Sequence, residues 1–130
     1  ITDTIADYIT CIRNGCRAGK ESVTVPASIM KIKLTELLKN EGYIKDFSVI
    51  EDSAKKNIFI KLKYKKDGSS AIKNLTRVSS PGLRHYVEAH KIPRVLNGIG
   101  TMVVSTSKGI MTDDEARKQN VGGELVFKIW

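Results

Sequence analysis

The segment NIFIKLKYK, residues 57–65, has the clearest structural pattern in the chain. Ile58, Ile60, Leu62 and Tyr64 occupy every second position, and Lys61, Lys63 and Lys65 alternate with the last three of them. A period of two places successive side chains on opposite faces of a strand. The pattern therefore predicts a β-strand with one buried face and one basic face. Residues 43–51 are predicted to pair with it, with Lys55, Lys56 and Asn57 in or just after the turn.

A helix is predicted at the start of the chain. Its apolar stripe consists of Ile5, Ile9, Ile12 and Cys16. Thr2 or Asp3 is expected to cap its first turn, and Gly15 or Gly19 lies near its end. Residues 21–25 follow as a short strand that stops at Pro26.

A second helix is predicted to begin after Ser28, whose hydroxyl can accept a free backbone N–H of the first turn. Gly42 is predicted to end it. One apolar face is formed by Met30, Leu34, Leu37 and Leu38. Ile29 and Ile32 fall off that face, so they either pack against another lobe or are exposed.

The fold class predicted is α+β with two small lobes. The N-terminal lobe, residues 1–66, has the order α-β-α-β-β, and residues 67–130 form a β-rich lobe with a short helix. The polar residues 66–70, KDGSS, are the best linker candidate.

The second half is predicted to be mostly β-structure. Strands are predicted at residues 71–79, 83–87, 102–105 and 124–130. Thr112 and Glu115 fit a capping box that opens a short helix, in which Asp113 and Asp114 favour the positive end of the helix dipole.

The charge of the chain indicates a polyanionic partner. It has 22 Lys and Arg against 14 Asp and Glu, a net charge of +8. Phosphates hold counterions that bound lysines and arginines release, so nucleic acid is the favoured partner. A membrane is disfavoured, since no basic cluster adjoins an apolar anchor and no apolar run approaches about 20 residues. With no secretory signal at the N-terminus, the expected location is the cytoplasm.

Catalytic and metal-binding patterns are weak. His85 and His90 lack the spacing of a metal pair, and Gly98-Ile99-Gly100 fails the dinucleotide fingerprint because Val103 occupies the third glycine position. Cys11 and Cys16 point about 140° apart on a helix, so half-buried free thiols are expected. No enzyme activity, cofactor or metal is predicted.

The segment 105–109, STSKG, is the best candidate for a binding site. Short hydroxyls donate to phosphate and 2′-OH groups and accept from base edges, and Gly109 permits close backbone approach. The alternative is an ordinary Ser/Thr-rich turn with local hydrogen bonds. In an RNA site, Glu124 can accept a base amino group or orient a basic side chain, and otherwise it is an ordinary salt-bridged or solvated acid. Arg84 supplies charge, and Tyr86 is either a stacking ring or a core residue.

The stretch GTMVVSTSKGIMTDDEAR, residues 100–117, closely resembles the signature of the small-subunit ribosomal protein eight family, bacterial type. Further matches occur in order along nearly the whole chain: residues 5–7, 12–14, 25–28, 41–42, 77–79, 81–84, 92–98 and 122–124. Thr4 departs from the pattern, because many members have a proline there.

This resemblance implies a structural, cytoplasmic ribosomal protein. Such a protein binds the central domain of small-subunit (16S) rRNA as a primary binder and helps the platform assemble. The implied neighbours include the fifth and twelfth small-subunit proteins. Repression of its own operon through mRNA is a further implication for some members.

The resemblance also implies two sets of RNA contacts. The first comprises Ser105, Thr106, Ser107, Lys108, Gly109, Glu124, Tyr86 and Arg84. The second, through the N-terminal lobe, comprises Thr2, Asp3, Arg13, Asn14, Ser28, Lys31 and Lys55.

Overall fold

The structure is a computed structural model that describes residues 3–130. The chain contains helices and antiparallel sheets, so the predicted α+β class with two lobes is confirmed. Contacts divide it into two compact units, Thr4–Lys73 and Asp3 with residues 74–130. The predicted boundary after residue 66 stays a prediction. The proposed linker forms a turn within the first unit, where Lys65 N donates to Ser69 O at 2.8 Å.

The first unit has the predicted α-β-α-β-β order. Its elements are α1 (Thr4–Arg17), β1 (Ser22–Pro26), α2 (Ile29–Asn40), β2 (Ile44–Asp52) and β3 (Lys55–Leu62). The antiparallel sheet has the order β1-β3-β2, which makes β3 the central strand. Ile58, Ile60 and Leu62 are buried while Lys61 and Lys63 are exposed, so the alternation is confirmed. Lys55 is the first residue of β3 and directly follows the turn, in which Ser53 has a φ of 55°, so its predicted position in or just after the turn is confirmed.

The second helix begins as predicted, since Ser28 Oγ accepts from Lys31 N at 3.2 Å. Its buried face is centred on Leu34 and Leu38 and extends towards Thr35, which is fully buried. Met30 therefore lies at the margin of that face and is 39% exposed, contrary to the prediction. Ile29 is exposed, so the second of the two alternatives, exposure and not packing against another lobe, holds for this residue.

The second unit is β-rich with a short helix. Its elements are β4 (Leu75–Arg77), β5 (Tyr86–Val87), β6 (Thr101–Thr106), β7 (Gly109–Thr112), α3 (Asp113–Lys118) and β8 (Gly123–Ile129). The sheet has the order β4-β8-β6-β7, and β5 also pairs with β8. Thr112 Oγ1 accepts from Glu115 N at 3.2 Å, so the predicted helix cap is confirmed.

Two predicted strands are much shorter than expected, and one strand was missed. The strand predicted at 71–79 is reduced to Leu75–Arg77, and that at 83–87 to Tyr86–Val87. Buried Ser79 explains part of this, because its Oγ accepts from His85 N at 2.8 Å and fixes a non-strand connection. The missed strand, β7, is short and follows the STSKG turn directly.

A buried hydrogen-bonded chain joins the two helices of the first unit. Thr35 Oγ1 donates to Lys31 O at 2.7 Å, so the Tyr8 hydroxyl, 2.7 Å from Thr35 Oγ1, is the donor to it. Burial raises the pKa of Tyr8 well above its ordinary value of 10.0, while the hydrogen bond to Thr35 acts in the opposite direction. The folded protein therefore favours the neutral phenol.

Tyr8 is expected to contribute an alkaline limit to stability. Its pKa is higher in the folded than in the unfolded chain, so its contribution is complete below about pH 10 and is lost as the pH rises further. Tyr8→Phe should cost about 1 kcal/mol at pH 7 and flatten the decline in unfolding free energy above pH 10. Urea denaturation at pH 7–11 measures both effects, with Tyr86→Phe, an exposed tyrosine, as control. Equal pH profiles in wild type and Tyr8→Phe would contradict this assignment.

Candidate nucleic-acid interface

Three predicted site residues form a row across the sheet of the second unit. Glu124 of β8 lies opposite Ser105 of β6 on one side and opposite Tyr86 of β5 on the other. Directly opposed residues on antiparallel strands point to the same face. The structure thus brings a hydroxyl, a carboxylate and an aromatic ring, 70% exposed at Tyr86, onto one surface.

Two glycines let the three strands approach at this row. A Cβ added at Gly123 would lie 2.1 Å from Ser105 O, and one added at Gly122 would lie 2.3 Å from Val87 O. Both distances are to backbone atoms, which cannot move without displacing a strand. The glycine pair is therefore a packing requirement of β5, β8 and β6.

Arg84 forms an ion pair with the Glu124 carboxylate of this row. Its Nη1 lies 2.9 Å from Glu124 Oε2, and the hydrogen bond to Glu124 raises the pKa of Arg84 above its usual value. The Glu124 side chain is 15% exposed, so the carboxylate is held with one oxygen engaged. The contact is the salt bridge that the sequence offered as the ordinary alternative, and it is equally compatible with orienting Arg84 for RNA. The second oxygen has lone pairs suited to a base amino group.

The hairpin between β6 and β7 carries the remaining hydroxyls. Thr106 pairs with Gly109, and Ser107 and Lys108 form the exposed tip. Thr106 Oγ1 donates to Gly109 O at 2.8 Å and accepts from Lys108 N at 3.1 Å. Thr106 therefore stabilises the turn. For this residue the alternative prediction, a Ser/Thr-rich turn with local hydrogen bonds, describes what is observed. Within residues 3–130, the hydroxyls of Ser105 and Ser107 have no hydrogen-bond partner.

The backbone of this turn requires glycine at its last position. Gly109 has a φ of +111°, which side chains with a Cβ rarely adopt. A Cβ there would meet nothing within 4 Å, so the requirement is conformational.

The second set of predicted residues is distributed over the first unit. Ser28 caps α2, Lys55 begins β3, and both residues are exposed. Their neighbours are hydrogen-bonded, since Ala27 N donates to Lys56 O at 3.0 Å, so Ser28 and Lys55 lie at the same end of the sheet. Asn14 is exposed on α1, where Arg13 is half-buried. Lys31 is 8% exposed and lines a groove of about 280 Å³ with residues of α1 and β1.

One residue of that set, Asp3, is placed differently from expectation, and another lies outside the described residues. Asp3 groups with the second unit, and its carboxylate pairs with Arg77 Nε at 3.2 Å. The sequence assigned Asp3 to the N-terminal lobe, whereas its ion pair with Arg77 holds it in the second unit. Thr2 lies outside the described residues.

The residues considered for catalysis do not converge. His85 and His90 are both exposed, and His90 lies 3.4 Å from Glu88. Among residues 3–130, no cluster of three or more His, Cys, Asp or Glu suits a metal ion. No described helix is long and apolar enough to cross a membrane. Cys11 and Cys16 are free and half-buried, as predicted.

Asp113 has a role that its sequence context did not reveal. It is 3% exposed, accepts from Met102 N at 3.2 Å and pairs with Arg117 at 2.8 Å. Arg117 also donates to Ile92 O and Pro93 O, so the pair ties α3 to β6 and to the irregular connection before it. The signal present in the sequence was the i, i+4 spacing of the two charges.

The chain is similar to known proteins over its whole length. A family model described as "Ribosomal protein S8" matches residues 3–130. A relative from Lactobacillus delbrueckii subsp. bulgaricus, named "Small ribosomal subunit protein uS8", is 52% identical over 130 residues, covering 100% of this chain and 98% of the relative. A relative of the same name from Anaeromyxobacter sp. (strain K) is 54% identical over 129 residues, covering 99% and 98%.

These findings define a structural, non-enzymatic ribosomal protein of the small subunit, located in the cytoplasm. The chain belongs to the ribosomal protein S8 family. The predicted family and the predicted absence of enzyme activity are therefore confirmed.

Replacement of Gly123 tests the close approach of the strands. Gly123→Ala places a methyl group against Ser105 O and is expected to lower the unfolding free energy by about 3 kcal/mol. Gly82→Ala is the matched control, since a Cβ there meets nothing within 4 Å. Chemical denaturation of both variants measures the difference. Equal stability of the two would show that β6 and β8 accommodate a side chain at this point.

Proposed function

We propose that this chain is a primary rRNA-binding protein that binds the central domain of 16S rRNA and helps the platform of the small subunit assemble. The resemblance in residues 100–117 implies this role. The observation that supports it best is the row of Ser105, Glu124 and Tyr86, with Arg84 on its carboxylate.

The chemistry of this row suits an irregular RNA surface. Two hydroxyls without protein partners donate to 2′-OH or phosphate oxygens, and the second oxygen of Glu124 accepts from a base amino group. Tyr86 offers an exposed ring on which an unpaired base can stack. A regular duplex presents no splayed bases to such a row, so recognition requires a folded, irregular helix.

Charge supplies attraction without sequence preference. The chain carries +8, and Arg13, Asn14, Ser28, Lys31 and Lys55 are proposed to contact a second RNA segment through the first unit. Arg13, Lys31 and Lys55 neutralise phosphates, so they add affinity that falls with salt, while Asn14 and Ser28 contribute uncharged hydrogen bonds. Specificity then depends on the second unit, and general affinity depends on both.

The proposal extends to neighbours and regulation by the resemblance alone. The fifth and twelfth small-subunit proteins are the proposed protein neighbours, and mRNA of its own operon is a proposed second RNA ligand. A purely regulatory protein would be found free of ribosomes. Sedimentation of a cell lysate should instead recover most copies with small subunits.

Removal of the hairpin-tip hydroxyl should reduce specific affinity. Ser107→Ala is expected to weaken binding to a folded central-domain rRNA fragment by about 1–3 kcal/mol, because an RNA group loses its partner. Ser53→Ala, at the tip of the β2–β3 hairpin, is the matched control and should change nothing. Filter binding at fixed salt gives the dissociation constants, and an unchanged value for Ser107→Ala would remove this residue from the interface.

A lysine of the first unit should behave differently. Lys55→Ala is expected to weaken binding to the rRNA fragment and to a random duplex by the same factor. The slope of log affinity against log salt should become shallower by about 0.7–0.9 for one lost phosphate contact. A loss confined to the folded fragment would instead make Lys55 a specificity residue.

A further inference from the structure

The outer face of the sheet in the first unit carries a groove that the proposed interface does not use. Three lysines line it, together with Glu21, Leu62 and Tyr64, and its volume is about 450 Å³. Lys61 is the last outward-facing residue of the central strand β3, and Lys63 follows directly after the strand ends at Leu62. The third lysine, Lys45, comes from β2.

A β-bulge brings Lys45 to this groove. Ile44 pairs with Leu62 and Asp46 pairs with Lys61, so Lys45 is an extra residue between two consecutive pairs. Bulges redirect a side chain and frequently serve a binding site. Here the irregularity adds Lys45 to Lys61 of the strand and Lys63 just after it.

These three ammonium groups are unpaired. In the part of the chain that the structure describes, Lys45, Lys61 and Lys63 form no ion pair within 4.0 Å. The nearest acid on β2, Asp46, is engaged at 3.0 Å by Lys39, and that hydrogen bond lowers the pKa of Asp46. Glu21 lines the groove beside the three lysines, and the charge of Lys61 also contributes to lowering the pKa of Asp46, so the positive charges are only partly compensated. The remaining positive charge attracts an anionic partner.

An aromatic ring adjoins the lysines on the same face. Phe59 precedes Lys61 by two residues and lines a second groove with Ser48 and Lys61. It is half-buried and has Thr24 and Ser48 as cross-strand neighbours. Two other rings lie nearby. Phe47 has Lys39 Nζ 5.9 Å from its centre, and the hydroxyl of Tyr64 donates to Lys20 O. Phe59 is therefore the ring open to a ligand.

We propose that this face, formed by Lys45, Lys61, Lys63 and Phe59, binds an unpaired single-stranded segment of RNA. Cations that follow a backbone beside a ring on which a base stacks are the elements of single-strand recognition. The choice of RNA rests on membership of a ribosomal protein family and not on the contacts proposed for the β6–β7 hairpin. Lys55 lies about 20 Å from Lys61 along β3, so the two regions are separable.

The test uses the full chain and labelled decauridylate, an unstructured RNA. Replacing Lys45, Lys61 and Lys63 together by Gln removes three charges and leaves a polar, slightly shorter side chain at each position. Binding should weaken at least tenfold. The slope of log affinity against log salt should become shallower by about 2, as expected for three phosphate contacts on a single strand.

Two further variants separate this surface from diffuse charge. Lys33, Lys73 and Lys118 are exposed and lie outside the groove, so their joint replacement by Gln is the control of equal charge, and it should leave affinity within about twofold. Phe59→Leu should weaken binding at least threefold and leave the salt slope unchanged, because stacking is lost without loss of charge.

Equal losses in the two lysine triples, with Phe59→Leu unaffected, would overturn the proposal in favour of general electrostatic attraction. Protection of the three lysines from acetylation by polyglutamate but not by decauridylate would overturn it in favour of an acidic protein partner. Ser107→Ala should retain decauridylate binding, and the lysine triple should retain the discrimination between the folded rRNA fragment and a random duplex. Failure of this inference and failure of the proposed function are thus distinguishable.

Discussion

The approach of β6 to β8 at Gly123 is the constraint on which the binding surface depends. No side chain fits between this residue and the carbonyl of Ser105, and the neighbouring glycine meets the backbone of β5 in the same way. Three strands consequently converge at one row of residues. The position of Ser105, Glu124 and Tyr86 on one face thus follows from two absent side chains.

The ion pair between Asp113 and Arg117 stabilises the start of β6, the strand that carries Ser105. Asp113 receives the backbone N–H at the start of β6, and its partner Arg117 holds two carbonyls of the connection that precedes the strand. Removing one member would leave a buried charge without its partner. The start of β6 is held by Asp113, and the turn is held by the hydrogen bonds of Thr106, so contacts within the protein position the hairpin tip. A preorganised surface loses less conformational entropy on binding.

The sequence predicted those elements whose periodicity is strong. The alternation around β3 and the caps at Ser28 and Thr112 are reproduced closely. Strand β7 was missed because four residues are too few to establish a period, and β4 was overextended because apolar content alone does not create a pairing partner. Local pattern carries information about elements, while pairing depends on distant residues.

The binding surface was predictable by residue type but not by arrangement. Hydroxyls, a carboxylate and a ring were visible in the sequence. Their row across three strands depends on register, which no local pattern records. The same limit applies to Lys45, whose bulge became evident only from its pairing with β3. Asp113 appeared to be an ordinary first-turn acid, since its burial is a tertiary property.

The last strand ends in a feature with a practical consequence. Asn74 and Trp130 exchange backbone hydrogen bonds at 3.0 and 3.1 Å, and the indole packs against the apolar cluster beneath α3. Trp130 is the one tryptophan in the chain. Its intrinsic fluorescence therefore reports whether the backbone pairing between Asn74 and Trp130 is intact. Partial unfolding of the second unit can be followed in this way without attaching a dye.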